Sequence, residues 1–278
     1  HLKNPNYFNM DGSRQGSKHF VTMWDIRGVN FTDNTFENTV EYEIVSNCIA
    51  STYSWDDDSR GTGIGTFDAQ FNLNSTSPST GQRNRFINLT RGIEARVTNS
   101  NLVYNFSTDG SQFSNVKYGI FTEHSNGDFI EDNDFVLLDP NGSGGPETPR
   151  SYGVYLHNYR NLDVQLNTFT GTANIYSEEW GLVSQQLSGN SSGIVSRNDF
   201  TKLSRGFQPQ LNNTALEVKC NEFSNNQLDW HVNPLTLGNF SNQGVGCGLN
   251  DYRPGNLFLD LNQNHIRSQQ VIGQNGPT

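Results

Sequence analysis

Asn198-Asp199-Phe200-Thr201-Lys202-Leu203-Ser204-Arg205-Gly206-Phe207, followed by Leu216-Glu217-Val218-Lys219-Cys220-Asn221-Glu222-Phe223, decides the fold of this chain. It opens and closes on the same phrase, Asn-any-Phe. Between the two copies stand a Gly six residues after the first Phe and a run in which apolar and polar side chains alternate. Alternation over four or five residues is the signature of a half-buried strand. A phrase that returns after one such run marks a repeat rather than an ordinary domain.

The phrase recurs upstream at Asn34-Thr35-Phe36, Asn84-Arg85-Phe86, Asn133-Asp134-Phe135 and Asn167-Thr168-Phe169, with a degenerate copy at Ser111-Gln112-Phe113. The Phe positions from 36 to 223 are separated by 50, 27, 22, 34, 31 and 23 residues. The short steps read as one turn of a solenoid. The steps of 34 and 31 read as one turn carrying an inserted loop, and the step of 50 as two turns with one disguised.

Gly92, Gly119 and Gly206 each follow a repeat Phe by six residues. From Gly119, Gly153, Gly206 and Gly181 the next repeat Asn arrives after 14, 14, 15 and 17 residues, so the insertions are expected mostly between Phe and Gly. Glycine is expected to mark a corner. Asn is expected at another corner in the left-handed backbone region, its amide bonded to the Asn stacked on it, with the Phe two residues later pointing inward.

Composition points the same way. Five Ala against 37 Asn and 27 Gly starve helices and supply turns, and no stretch carries a helical stripe. A hydrophobic content of 33% is low for a globular core but serves a narrow solenoid column. The expected fold is therefore all-β, a right-handed parallel β-helix with loop insertions. It is expected to fill residues 1–278 as one domain, since no linker interrupts the repeat.

The motif wording resembles a family of secreted proteins common in Bacteroidetes, in which parallel β-helix repeats precede a C-terminal sorting domain for the type nine secretion system. The resemblance rests on Tyr118-Gly119-Ile120, Tyr152-Gly153-Val154-Tyr155-Leu156, Ser196-Arg197-Asn198-Asp199-Phe200, Gly206-Phe207-Gln208-Pro209-Gln210, Lys219-Cys220-Asn221-Glu222-Phe223, Asp229-Trp230-His231-Val232 and Arg253-Pro254-Gly255-Asn256-Leu257-Phe258. Pectin-lyase-like repeats share its Asn-any-Phe and Gly-Ile elements. The resemblance implies a secreted, extracellular protein displayed at the cell surface, with secretion machinery engaged through a sorting domain that residues 1–278 do not contain. The chain is accordingly expected to be a fragment of a longer secreted protein.

A net charge of −10 and a pI near 5.0 argue against nucleic acid and anionic lipid as partners. Polyanionic sugars are disfavoured unless a local cation reverses the field, which leaves neutral surface glycans and proteins. No apolar run reaches membrane-spanning length. Three cysteines, Cys48, Cys220 and Cys247, are too few for a disulfide scaffold, and either a stacked thiol or a Cys220–Cys247 bridge fits the 27-residue spacing.

Motifs for chemistry are nearly absent. Gly189-Asn190-Ser191-Ser192-Gly193 is followed by strand rather than by the helix that a nucleophile elbow needs. Gly61-Thr62-Gly63-Ile64-Gly65 lacks dinucleotide-loop spacing, and the six histidines stand apart in sequence.

Function is therefore sought in the insertions, at residues 53 to 81, 139 to 151 and 170 to 180. Tyr53, Trp55, Tyr176 and Trp180 are the candidate aromatic platforms, with Glu179 beside the last. Asp56 and Asp58, which point to one side of an extended segment, are the candidate ligands for calcium, the only cofactor considered. Stacked turns are expected to gather some of Glu123, His124, Asp128, Glu131, Asp132 and Asp134.

The reading favoured is a surface module for adhesion or for glycan or partner binding, without catalysis. A β-helical polysaccharide lyase or glycoside hydrolase and a tailspike-like fibre are the alternatives. The polygalacturonase signatures do not occur as a set, and no carboxylate pair is demonstrable.

Overall fold

The computed structural model describes residues 2–3, 19–38, 61–98, 103–137, 151–172, 178–186, 192–213, 215–232, 256–259 and 264–268. They form a right-handed parallel β-helix of three parallel sheets, with nine, nine and seven described strands, in which the first seven turns each contribute one strand to every sheet. Parallel strands joined by right-handed crossovers are the strongly preferred hand of such connections. Among the described residues no helix is long and apolar enough to cross a membrane.

The phenylalanine sheet runs Leu2–Lys3, Thr35–Glu37, Arg85–Ile87, Gln112–Ser114, Asp134–Val136, Thr168–Thr170, Asp199–Thr201, Glu222–Ser224 and Leu257–Phe258. The glycine sheet runs His19–Trp24, Thr62–Phe67, Arg91–Arg96, Tyr118–Glu123, Ser151–His157, Glu179–Gln186, Arg205–Leu211, Leu228–Val232 and Asn264–Ser268. The third sheet runs Val29–Thr32, Phe71–Asn74, Phe106–Asp109, Phe129–Glu131, Leu162–Gln165, Gly193–Ser196 and Leu216–Lys219.

Register is set by like side chains meeting like. Phe36, Phe86, Phe113, Phe135, Phe169, Phe200 and Phe223 form one buried column with ring centres 4.7 to 4.9 Å apart and planes within 10° of parallel. That interval is the spacing of hydrogen-bonded strands, so the backbone ladder dictates the stacking. Burying each ring contributes roughly 2–3 kcal/mol.

Four sequence expectations change. Phe36 pairs directly with Phe86, so the step of 50 is a single turn with a long insertion, not two turns. The phrase also continues at Asn256-Leu257-Phe258, whose ring stacks 5.2 Å from Phe223.

Glycine does not mark a corner. Gly92, Gly119, Gly153, Gly181 and Gly206 lie within strands, where a Cβ would come within 2.5 to 2.8 Å of a ring carbon of Phe113, Phe135, Phe169, Phe200 and Phe223 respectively. The inward Phe of each turn occupies the space that a side chain at the glycine would need.

Nor is the ladder Asn the left-handed residue. That conformation falls one position earlier, on Asp33, Asp132, Leu166, Arg197 and Cys220, with φ between 53° and 59°. The Asn is instead selected for its amide. Asn133, Asn167 and Asn198 each send both the backbone N–H and Nδ2–H to Oδ1 of the next ladder Asn, at 2.9 to 3.0 Å. Asn221 makes the same pair of bonds to Asn256 at 3.1 and 2.9 Å. Each Nδ2 also reaches a strand carbonyl of an earlier turn, as Asn167 does to Ile130 at 2.9 Å. The column satisfies polar groups that would otherwise be buried without partners.

Candidate ligand-binding face

Of the residues singled out from sequence, Tyr53, Trp55, Asp56, Asp58 and Tyr176 lie outside the described residues. Glu179 and Trp180 are described, and both stand within the strand Glu179–Gln186 rather than in a loop. Glu179 is 1% exposed, and its carboxylate accepts hydrogen bonds from the backbone N–H and hydroxyl of Thr172, both at 2.8 Å. It ties the preceding corner to the sheet. Trp180 is 2% exposed, with the Arg205 guanidinium 4.0 Å from its ring centre and Tyr152 edge-on at 5.3 Å. It presents no open ring to solvent, because the stacking of successive turns covers it.

Trp180 belongs to an apolar cluster separate from the interior column. Tyr152, Trp180 and Val183 are buried in it, and Tyr118 and Tyr155 pack against them half-buried. The pairing that builds the glycine sheet aligns Tyr118 with Tyr152 and Trp180, and Phe121 with Tyr155 and Val183. The rings Tyr118 and Tyr152 stack at 4.8 Å, and Phe121 and Tyr155 at 5.7 Å. Across the columns the rings meet edge to face, Tyr118 with Phe121 at 5.9 Å and Tyr152 with Tyr155 at 5.3 Å. Two adjacent turns thus present four aromatic rings in a herringbone.

Charged groups border the rings and neutralise one another. Arg96 donates to Glu94 at 2.7 Å, lies 3.1 Å from Glu123, and stands 5.4 Å from the ring centre of Phe121. Arg91 approaches Glu94 at 3.6 Å and stands 5.7 Å from the ring centre of Tyr118. Cationic groups over aromatic faces add modest stabilisation and leave the border polar.

The acidic residues expected to gather do so only in part. Glu131 pairs in register with Asp109. Partial burial, reinforced by Asp109, Asp163 and Asp132, pushes the Glu131 carboxyl up, and burial with Asp132 raises Asp109. Burial also raises Asp163, which Lys219 opposes. Asp128 is fully enclosed, and burial lifts it to about 7 against the pull of the Ser125 hydroxyl and the Phe106 N–H. Neither Asp128 Oδ2 nor Ser125 Oγ completes a hydrogen bond of normal geometry. Glu123 and His124 belong to the glycine-sheet side, and Asp134 joins the phenylalanine sheet beside Arg83. No three His, Cys, Asp or Glu side chains among the described residues form a metal cage.

Sequence reasoning missed the ring herringbone although its parts were quotable: Tyr118-Gly119-Ile120-Phe121 and Tyr152-Gly153-Val154-Tyr155 carry aromatics at the same offsets from the repeat glycine. Cys220 is disulfide-bonded, with a partner outside the described residues. No family model matches the chain, and neither a curated protein nor a solved structure matches it.

Proposed function

We propose that this β-helix is a secreted or cell-surface binding module whose ligand contacts the outer side of the glycine sheet, and that it acts without catalysis. The observation that carries the reading is the ring herringbone outside the interior column, in which Tyr118, Phe121 and Tyr155 stand half-buried around the buried Tyr152. Aromatic groups clustered away from the core, with a polar border, are characteristic of recognition surfaces. The rings stack on one another along the sheet and Arg91 and Arg96 lie over Tyr118 and Phe121, so the ring edges are what the C–H groups of a sugar meet. Arg91, Arg96, Glu94 and Glu123 offer hydrogen bonds beside them.

The ligand class that fits best is a neutral glycan. Glu94 is met by two guanidinium groups and Glu123 by Arg96, so these two carboxylates and two guanidiniums balance one another. The chain's net charge of −10 disfavours a polyanion. The same pairing supports binding over cleavage, because both carboxylates are engaged by the Arg96 guanidinium rather than facing each other across an open cleft. Trp180 packs edge-on against Tyr152 from the next turn, and Tyr53, Trp55 and Tyr176 are further proposed contacts. Extracellular placement draws support from the Cys220 disulfide and from the motif resemblance, which also points to type nine secretion.

The test is calorimetric titration with a panel of neutral and acidic oligosaccharides, paired with an assay for reducing ends and unsaturated sugars. Saturable binding to a neutral member, weakened at least tenfold by Phe121→Ala or Tyr155→Ala without cleavage, is expected. Product release from any polysaccharide, or binding indifferent to both substitutions, overturns the reading. Calcium at Asp56 and Asp58 is checked separately, since a titration unchanged by Asp56→Ala removes that proposal.

A further inference from the structure

Two of the histidines that stand apart in sequence meet in space. His157 closes the strand Ser151–His157 of the glycine sheet, His124 follows directly on the strand Tyr118–Glu123 of the turn before, and their rings lie 6.1 Å apart at 28°. The Nε2 atoms of both face a single atom, Asn158 Nδ2, at 3.2 and 3.3 Å. An amide nitrogen has hydrogens to give and no lone pair to share. In the tautomer with the proton on Nδ1, each ring accepts from the amide nitrogen and the two Nε2 lone pairs converge on one point.

The other side of His157 is also prepared. Its Nδ1 stands 3.4 Å from Glu123 Oε1, and the second oxygen of that carboxylate lies 3.1 Å from Arg96. A carboxylate behind one imidazole nitrogen, leaving the other available, is the arrangement that orients histidine ligands in metal sites. Both rings are half-buried, so an ion can reach them from solvent.

We propose that His124 Nε2 and His157 Nε2 form a two-imidazole site for a borderline divalent transition ion of the zinc or nickel class, with Glu123 as the positioning residue for His157. The Asn158 amide swings aside on binding, and water or a ligand atom completes the coordination. Imidazole nitrogen selects such ions over calcium or magnesium, which take oxygen donors. With only two protein ligands, the site keeps open positions, as sites that act on a further ligand do.

The probe is Zn2+, titrated into the intact chain in chelator-free buffer while heat and the imidazole proton resonances are followed. One equivalent is expected to shift the resonances of His124 and His157, and excess Ca2+ leaves those shifts in place. His124→Asn, which suits the left-handed backbone there (φ 59°), and His157→Gln each weaken binding at least tenfold. Glu123→Gln weakens it about tenfold, and Glu123→Asp restores part of the loss. The proposal fails if the wild-type chain shows no saturable binding or if the shifts fall on His1, His19, His231 or His265 instead. It also fails if calcium displaces the ion or if both histidine variants bind as the parent does.

Discussion

Phe169 occupies the space where a side chain on Gly153 would stand: a Cβ built there lies 2.5 Å from the ring's Cδ1 and 2.6 Å from the carbonyl oxygen of Gly181. The same fit recurs between Gly119 and Phe135 and between Gly181 and Phe200, so the repeat is a set of rings seated in glycine notches. Gly153→Ala is expected to destabilise the chain by about 3 kcal/mol, since neither a stacked ring nor a strand backbone yields easily. Chemical denaturation measures it. In the double variant Gly153→Ala/Phe169→Leu the two costs should fall short of their sum, and strict additivity would refute the notch.

Asn167 sits in the middle of the amide column, accepting two bonds from Asn133 and donating to Ile130 O and Asn198 Oδ1. Asn167→Ala leaves buried partners unsatisfied and is expected to cost about 3 kcal/mol. The nearly isosteric Asn167→Asp keeps the acceptors but loses the donors and buries a charge. It should destabilise at least as much above neutral pH, and a wild-type denaturation midpoint for it would show that the column is mere packing.

Leu166 is a β-corner residue held at φ 58° and 43% exposed. A branched residue there carries the left-handed penalty of roughly 1–2 kcal/mol, and it buries too little to offset it. Leu166→Asn is expected to stabilise the fold by about 1 kcal/mol. A lower melting temperature for this variant would mean that Leu166 makes contacts outweighing its strain.

Asp128 sets a pH dependence. An unfolded Asp releases its proton near 3.8, whereas the folded chain holds this one to about 7. Between those values the folded state binds the extra proton. The contribution is therefore complete below about pH 4 and is lost as pH rises through 7, with a full depth on the order of 4 kcal/mol. The raised carboxyls of Asp109, Glu131 and Asp163 act in the same direction. Asp128→Asn, which retains an acceptor for the Phe106 N–H, should raise the melting temperature at pH 8 and flatten its profile between pH 4 and 8. A variant profile parallel to the wild type would assign the dependence to other groups.

Phe121 contributes to the ring herringbone while remaining half-buried outside the core column. Phe121→Ala is expected to lower stability by only about 1 kcal/mol while weakening ligand binding at least tenfold. Equal stability loss and unchanged affinity would make the rings a structural patch.

Much of this was legible along the chain. The period, the inward Phe and the stacked Asn follow from spacing and residue type, because a repeat that must bury one stripe has few ways to do so. The step of 50 misled because length does not say whether added residues form a turn or interrupt one, and only the pairing of Phe36 with Phe86 decides it. Glu179 and Trp180 looked like loop residues because Glu178-Glu179-Trp180 is polar at its start and lies between repeat landmarks. In the fold Glu179 opens a strand and Trp180 is enclosed by its neighbours in adjacent turns.

By itself, then, the sequence determined the β-helix and which side chains form its interior columns, since those depend on local periodicity and on like stacking upon like. It also determined that no familiar catalytic motif is written along the chain. Only the tertiary structure decided which residues meet across turns: Tyr118 with Tyr152, Arg96 with Glu123, and His124 with His157. Those encounters depend on insertion lengths and register, which bring residues some thirty positions apart to within one strand spacing. No pattern read along the chain records that distance.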